Sequence, residues 1–527
     1  MTASTGSPGA IATAHTAATR EGEKVLAAGG NAVDAVVATA AALTVLYPNQ
    51  CTIGGDGVAL IATPDGKRTV INGTGRAPRS LDVAGLRAEH ATMPSRGALS
   101  VTVPGVLSAW QAMAGRWGTR SLSAALTRAA TLAEQGVEVA PGVSRALHAE
   151  VDRLRADEGC ASTFLVAGHP PAAGVPLRQP VLARTLRSIA ADGPTALYGG
   201  SIGESIVQTL RAQGSAMTID DFSEHSALIR DAEVTDCGGL EFATSGDNTQ
   251  GPYFLLGLAM IERLRAESGV VPDSLGDGAG LVAEVLAVAA AARDGRTGVE
   301  ILDTPEFAVT ETTVNAALAL ARRGGQRLPL SPVRHGDTVA IACLDANGMG
   351  VTLIQSAFNA FGSCVLDPAT GVLLHNRGAA FDLDPDSKSV LAPGKRPPHT
   401  LMPVVVGKDD RVVAAHGTMG GPAQPQIQTH LALGLLAGES AATSVGRPRW
   451  VLAQATGDHG SETGYRRISA ETDLAPQAKA ALLNAGFTID WLPPRDDLVG
   501  HAQLVRAAAD GGFDVGTDPR ADGAREA

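Results

Sequence analysis

Cysteine is scarce: the five present, Cys51, Cys160, Cys237, Cys343 and Cys364, are odd in number, far apart and form no CxxC pair. This pattern excludes a disulfide framework and a zinc site and leaves reduced, structural thiols. Positive charge is also in deficit. The 42 basic residues stand against 54 acidic ones, a formal net charge of −12, and no long basic run is present. Such a chain lacks the means to neutralise a phosphate backbone or an anionic bilayer, so neither nucleic acid nor membrane is expected as a partner. Long apolar runs are missing too. The longest, residues 35–47 (AVVATAAALTVLY), falls short of the roughly 18 residues a membrane helix needs and follows the capping signal of a buried helix. The first nine residues show no charged stretch leading into an apolar one, so no secretory signal is expected and the expected location is the cytoplasm. Internal repeats and long low-complexity tracts are absent as well.

What remains is a 527-residue chain, long enough to bury a large core and of a size at which α/β enzymes often form one unit. Its first half reads as mostly helical. Gly29 and Gly30 end one helix, and Asn31 with Asp34 three residues on caps the next. Residues 122–135, 202–213 and 281–293 carry similar helical patterns. Strands are expected at 58–62 and 68–72 around a TPDG turn, and they lead into the loop GTGRAP (residues 73–78), which presents Arg76.

Residues 322–336 (RRGGQRLPLSPVRHG) combine glycine, proline and arginine without apolar periodicity and read as an exposed, cleavable linker. A strong hairpin follows: TVAIACLD (338–345), the turn ANGMG, then VTLIQS (351–356). Thr338 therefore opens a strand directly after a loop. Two registers are compatible with the turn. A two-residue Asn347-Gly348 turn sets Thr338 opposite Ala357, and a three-residue loop with Gly348 in the left-handed region sets it opposite Ser356. Both bring Ser356 close.

A threonine hydroxyl needs a base to become a nucleophile, and an α-amine of pKa about 7.7–8.0 on the same residue is a suitable one. Thr338 acquires that amine only if the Asp337–Thr338 bond breaks. Taken alone, Thr338 reads as an ordinary strand residue, since threonine is common at strand starts. Five separated stretches point further: AAGGNAVDAVVATAAAL (27–43) with TIGGDG (52–57); SVTVPGV (100–106); GDTVAIACLDANG (336–348) with FGS (361–363); GKRPPHTLMP (394–403); and GTMGG (417–421) with PRW (448–450). In this order and spread the chain resembles the γ-glutamyltranspeptidase family, whose members share the Ntn-hydrolase fold and mature by self-cleavage.

The resemblance implies an α+β, four-layer αββα sandwich built by both fragments of a cleaved precursor: a helix-rich large subunit, 1–337, ending at Asp337, and a small subunit, 338–527, beginning with the nucleophile Thr338. It places Gly420 and Gly421 on the family's oxyanion-hole glycines and Ser356 where a hydroxyl lies beside the nucleophile, although GTMGGP also reads as a plain turn and Ser356 as a polar strand end. It implies catalysis without metal or organic cofactor, on small-molecule amide substrates, by two fragments that stay associated.

Departures from the family pattern bear on the substrate. The segment that holds an acidic ligand for a substrate amine reads HNRGAAF here (375–381), so that ligand falls on Ala380, and the cation Arg377 stands nearby. The arginine for a substrate carboxylate falls on Thr74, with Arg76 two positions on in the same loop. The family's paired serines correspond to His399 and Thr400. Together with GRAP, IQS, NRG and PHTL, these residues resemble the branch that includes oxamate amidohydrolases. That branch implies an acidic, amine-free acyl donor facing Arg76 and Arg377, with His399 either a hydrogen-bond donor or a structural loop residue. A γ-glutamyl transferase or glutathione hydrolase, and a non-enzymatic relative that keeps the fold, are the alternatives.

Overall fold

The computed structural model describes residues 7–304, 307–326, 328, 337–452 and 466–523. Its centre is a pair of six-stranded antiparallel sheets. The first has the strand order Gly9–Thr13, Asp337–Asp345, Gly350–Phe358, Asp56–Ala62, Arg68–Asn72, Leu228–Asp231. The second runs Phe513–Thr517, Ala502–Ala507, Arg411–Thr418, Val404–Lys408, Leu240–Thr244, Glu233–Cys237. Residues from before and after position 337 therefore share both sheets, hydrogen bond by hydrogen bond.

Alternation along the strands divides the core into layers. Ala12, Val58, Leu60, Ala340, Ala342 and Ile354 of the first sheet meet Ala243, Val405, Ala415 and Val505 of the second. The intervening residues Val339, Ile341, Cys343 and Leu353 pack outward against the helices Thr16–Ala27, Ala32–Leu46, Val106–Trp117 and Leu122–Gln135. On the far side Phe242, Val404, Val406 and Ala414 pack against Gly251–Ser268, Ala279–Arg293 and Gln424–Leu436. The result is an αββα sandwich, as expected. Aromatic residues are only 3% of the chain, and the layer between the sheets is accordingly built from alanine, valine and leucine, whose small volumes let the sheets approach.

Local expectations fare well where side chains enforce them. Asn31 and Asp34 form a reciprocal capping box on the helix Ala32–Leu46, whose nearly continuous burial explains its lack of a polar face. The helix at 122–135 is found as drawn, and the other two differ by one or two residues at their ends, as Ser201–Ala212 and Ala279–Arg293. The linker expectation needs one correction. Arg322 and Arg323 belong to the helix Glu311–Arg323, which stops at Gly324 with φ +56°, because the apolar face of Val314, Ala317, Leu318 and Ala321 extends the helix to that point. Residues 327 and 329–336 lie outside the described residues. Among the described residues, no helix is long and apolar enough to cross a membrane.

Candidate active site

The hairpin adopts the three-residue loop. Leu344 pairs with Gly350, Gly348 has φ +87°, and Thr338 lies opposite Ser356. Ser356 in turn lies opposite Asp56 on the next strand. Register partners on antiparallel strands project to one face, and the parity of Ala340, Ile354 and Val58 shows that this face is the one between the sheets. Thr338, Ser356 and Asp56 thus form a polar row at the end of an otherwise apolar layer, and all three are buried.

Within the row, Thr338 Oγ1 donates to Ser356 Oγ at 3.0 Å, and Ser356 Oγ donates to the carbonyl oxygen of Asp337 at 2.6 Å. Ser356 Oγ also accepts the Phe358 N–H at 2.8 Å. A bulge makes that third bond possible: the register skips Ala357, so that Phe358 pairs with Asp337, and Phe358 takes φ +80°. A phenylalanine in the left-handed region is strained, and such strain is maintained only where the surroundings enforce it.

The strand Arg411–Thr418 of the second sheet packs across this end. A side chain at Gly417 would place its Cβ 2.5 Å from Ile354 Cδ1 and 3.0 Å from Ala340 Cβ, so glycine is what permits the approach. The loop that leaves this strand holds Gly420 (φ +148°) and Gly421 (φ +51°). Its carbonyls are all engaged: Met419 O by Thr418 Oγ1, Gly420 O by the Ala423 N–H, Gly421 O by Gln250 and Pro422 O by Arg293. The N–H groups of Gly420 and Gly421 find no acceptor among the described residues. Two adjacent unpaired donors in a glycine turn are what an oxyanion hole requires.

Asp56 anchors the remaining loops. Its Oδ1 accepts the Gly75 N–H at 3.1 Å, and its Oδ2 accepts from His399 Nε2 at 3.1 Å. His375 Nδ1 stands 3.6 Å from the same oxygen. Burial raises the Asp56 carboxyl, but His375, His399 and the Gly75 N–H outweigh it and hold the group below the ordinary carboxylate range. Burial and the charge of Arg377 push His399 down to about 4 despite Asp56, so at neutral pH His399 is an uncharged donor. Its Nδ1 correspondingly accepts the Leu401 N–H at 3.4 Å.

Arg377 is buried and stacks over Phe358, with its Cζ 4.2 Å from the ring centre. It donates from Nε to Pro398 O at 2.8 Å and from Nη1 to Thr400 Oγ1 at 3.3 Å. Burial lowers it to about 9, partly offset by Asp56, and it stays charged at neutral pH. The structure thus brings Thr338, Ser356, Arg377, His399 and Thr400 into one connected region. Arg76 stands apart: it is exposed, and its Nη1 rests on Gly394 O at 2.9 Å. Thr74 is buried, donates to Asn72 Oδ1 at 2.7 Å and accepts from Asn248 at 3.2 Å. Ala380 ends the short turn Arg377–Ala380 and supplies no charge.

Sequence reasoning missed Asp56, His375, Gln250 and Arg293. A signal existed for Asp56, an acidic residue in phase with the inward apolar stripe Val58, Leu60, Ala62. Among the described residues, no group of histidine, cysteine and carboxylate side chains is arranged to hold a metal ion.

Comparison with known proteins agrees with this architecture. The sequence profile described as gamma-glutamyltranspeptidase matches residues 18–527. The chain is 32% identical to the oxamate amidohydrolase proenzyme of Klebsiella pneumoniae, over 97% of this chain and 96% of that one. It is 32% identical to the glutathione hydrolase-like YwrD proenzyme of Bacillus subtilis, over 98% and 97% of the two chains. Among solved structures, cephalosporin acylase from Bacillus halodurans superposes with a TM-score of 0.87 at 29% identity, covering 99% of this chain and 96% of that one. With an Ntn-hydrolase sandwich and hydrolase and acylase relatives along its whole length, this chain is an enzyme that belongs to the gamma-glutamyltranspeptidase family.

Proposed function

We propose that the chain is a precursor that cuts itself between Asp337 and Thr338, and that the mature enzyme hydrolyses amides of small acidic acyl donors. The observation that carries the first part is the chain of hydroxyls from Thr338 Oγ1 through Ser356 Oγ to the Asp337 carbonyl. As Thr338 Oγ1 bonds to the Asp337 carbonyl carbon, its proton passes to Ser356 Oγ, and the Ser356 proton passes to the carbonyl oxygen. On collapse the carbonyl re-forms and its O–H proton passes to the nitrogen, the C–N bond breaks and the neutral α-amine of Thr338 leaves, and Asp337 is left as an ester that water hydrolyses. The large and small subunits, 1–337 and 338–527, stay joined because each contributes strands to both sheets.

In the mature enzyme the Thr338 amine takes the hydroxyl proton as Oγ1 attacks the substrate amide. The N–H groups of Gly420 and Gly421 hold the developing oxyanion, the amine or ammonia departs, and water releases the acid. Two features favour an acidic, amine-free donor such as oxamate. Arg377 keeps its charge in the interior, and no carboxylate stands at Ala380 to receive an ammonium, which would be costly to bury unpaired. Thr400 beside Arg377 is the further substrate contact in this reading, with His399, engaged by Asp56 and Leu401, positioning its loop and Arg76 at the surface outside this cluster. The likeness to a glutathione hydrolase-like protein at the same identity supports a second reading, a γ-glutamyl hydrolase.

The deciding experiment compares kcat/KM of mature enzyme on oxamate, other amine-free acyl amides and a γ-glutamyl anilide. Faster turnover of an amine-free amide is expected. A γ-glutamyl anilide hydrolysed faster than all of them overturns the specificity.

A further inference from the structure

Gln250 sits just before the helix Gly251–Ser268 and is buried, far in sequence from Thr338, Ser356 and the Gly420-Gly421 turn. Its Nε2 donates to two carbonyls, Thr400 O and Gly421 O, each at 3.0 Å. Its Oε1 accepts from Arg293 Nη1 at 2.9 Å, and the same Nη1 donates to Pro422 O at 2.7 Å. Arg293, the last residue of the helix Ala279–Arg293, is itself held by Asp294 through Nε to Oδ1 at 2.8 Å and Nη2 to Oδ2 at 3.1 Å. The amide orientation of Gln250 is dictated by its partners: reversed, its oxygen would face two carbonyl oxygens and its NH2 would face a guanidinium.

We propose that Gln250, locked by Arg293, is a positioning residue that holds the Gly420-Gly421 turn so that its two unpaired N–H groups stay aimed at the reacting carbonyl, and ties that turn to the Thr400 loop. The inference rests on the reading of Gly420 and Gly421 as oxyanion donors. Its physical basis is the carbonyl accounting of the loop. The peptide units that carry the Gly420 and Gly421 N–H groups are fixed by Thr418 and Ala423 within the loop itself. The next carbonyl, Gly421 O, accepts the Gln424 N–H within the turn, and Gln250 and Arg293 add donors from the helix layer to Gly421 O and Pro422 O. Glycines at φ +148° and +51° have wide conformational freedom, so a tether from the helix layer keeps the donors pre-aligned, and pre-alignment is what makes such donors effective.

An interaction that matters only once the oxyanion forms appears in kcat and not in KM. Three variants are compared with wild type as processed enzyme, with oxamate or, if faster, γ-glutamyl p-nitroanilide as substrate: Gln250→Ala, the isosteric Gln250→Glu, which keeps a partner for Arg293 but removes both donors, and Gly421→Ala, which disturbs the turn directly. Self-cleavage uses Ser356 and should proceed in all three. The expected result is a kcat about 10- to 100-fold lower for both Gln250 variants, with KM within about two-fold and an unchanged melting temperature for at least Gln250→Glu. Loss of kcat in Gly421→Ala but not in either Gln250 variant overturns the positioning role while leaving the oxyanion reading intact. Full kcat in Gly421→Ala overturns the oxyanion reading and the inference with it. A loss in the Gln250 variants that tracks melting temperature or KM assigns Gln250 a structural role and overturns the inference.

Discussion

Replacing Ser356 by alanine tests the proposed self-cleavage at its chemical centre. The change removes a donor 2.6 Å from the Asp337 carbonyl oxygen and the acceptor of the Thr338 hydroxyl at 3.0 Å. Loss of one donor to a developing oxyanion slows acyl transfer by about 100- to 1,000-fold, roughly 3–4 kcal/mol. The Phe358 N–H also loses its acceptor, which should lower stability by about 1–3 kcal/mol. Ser356→Thr retains the hydroxyl on a strand residue that tolerates branching and should restore most of the rate. The assay is a time course of intact mass on freshly purified precursor, with a denaturant midpoint measured in parallel. Cleavage of Ser356→Ala at the wild-type rate would refute the hydroxyl relay. A slow rate in Ser356→Thr equal to that of Ser356→Ala would show that packing rather than the hydroxyl matters.

Gly417→Ala should lower the denaturant midpoint by an amount equivalent to about 1–3 kcal/mol, because the new Cβ meets Ile354 at 2.5 Å and Ala340 at 3.0 Å; an unchanged midpoint contradicts the close packing of the two sheets. Stability should fall on acidification from pH 6.5 to 4. Burial holds His399 and His416 neutral down to about 4, whereas the unfolded imidazoles protonate near 6.5, so the unfolded state binds more protons across that window and each histidine costs about 3 kcal/mol once the fall is complete. In urea melts His416→Leu should show a shallower pH dependence than wild type, and an equal slope removes this assignment. Asp56→Ala should cost about 3–5 kcal/mol, since it leaves the buried Arg377 charge without its offset and His399 without an acceptor; a loss below about 1 kcal/mol means that Asp56 does not anchor these loops.

The parts of this molecule legible in the sequence are those governed by neighbours in the chain. The capping box at Asn31 and Asp34, the hairpin of Thr338 and the left-handed Gly348 are short-range constraints, and Gly348 chose between the two registers once its conformation was seen. The layer order followed from family blocks rather than from periodicity. Illegible were the contacts that join distant segments. Gln250 and Arg293 reach the 417–423 turn from helix ends that carry no local signature. Arg76 looked like a partner of Arg377, yet its loop is pinned through Gly75 to Asp56 while its own side chain turns to Gly394 at the surface. The bulge at Ala357 and the positive φ of Phe358 were equally hidden, since nothing in the sequence SAFNA marks a strained phenylalanine.

The central claim is that the chain makes its own nucleophile, and intact-mass analysis of purified wild type and Thr338→Ala, with N-terminal sequencing of every fragment, tests it most directly. The account predicts that wild type resolves without added protease into two fragments, the smaller beginning Thr-Val-Ala-Ile, and that Thr338→Ala remains one full-length chain without amidase activity. Cleavage of Thr338→Ala after Asp337, or an active wild-type enzyme that stays uncut, would contradict it.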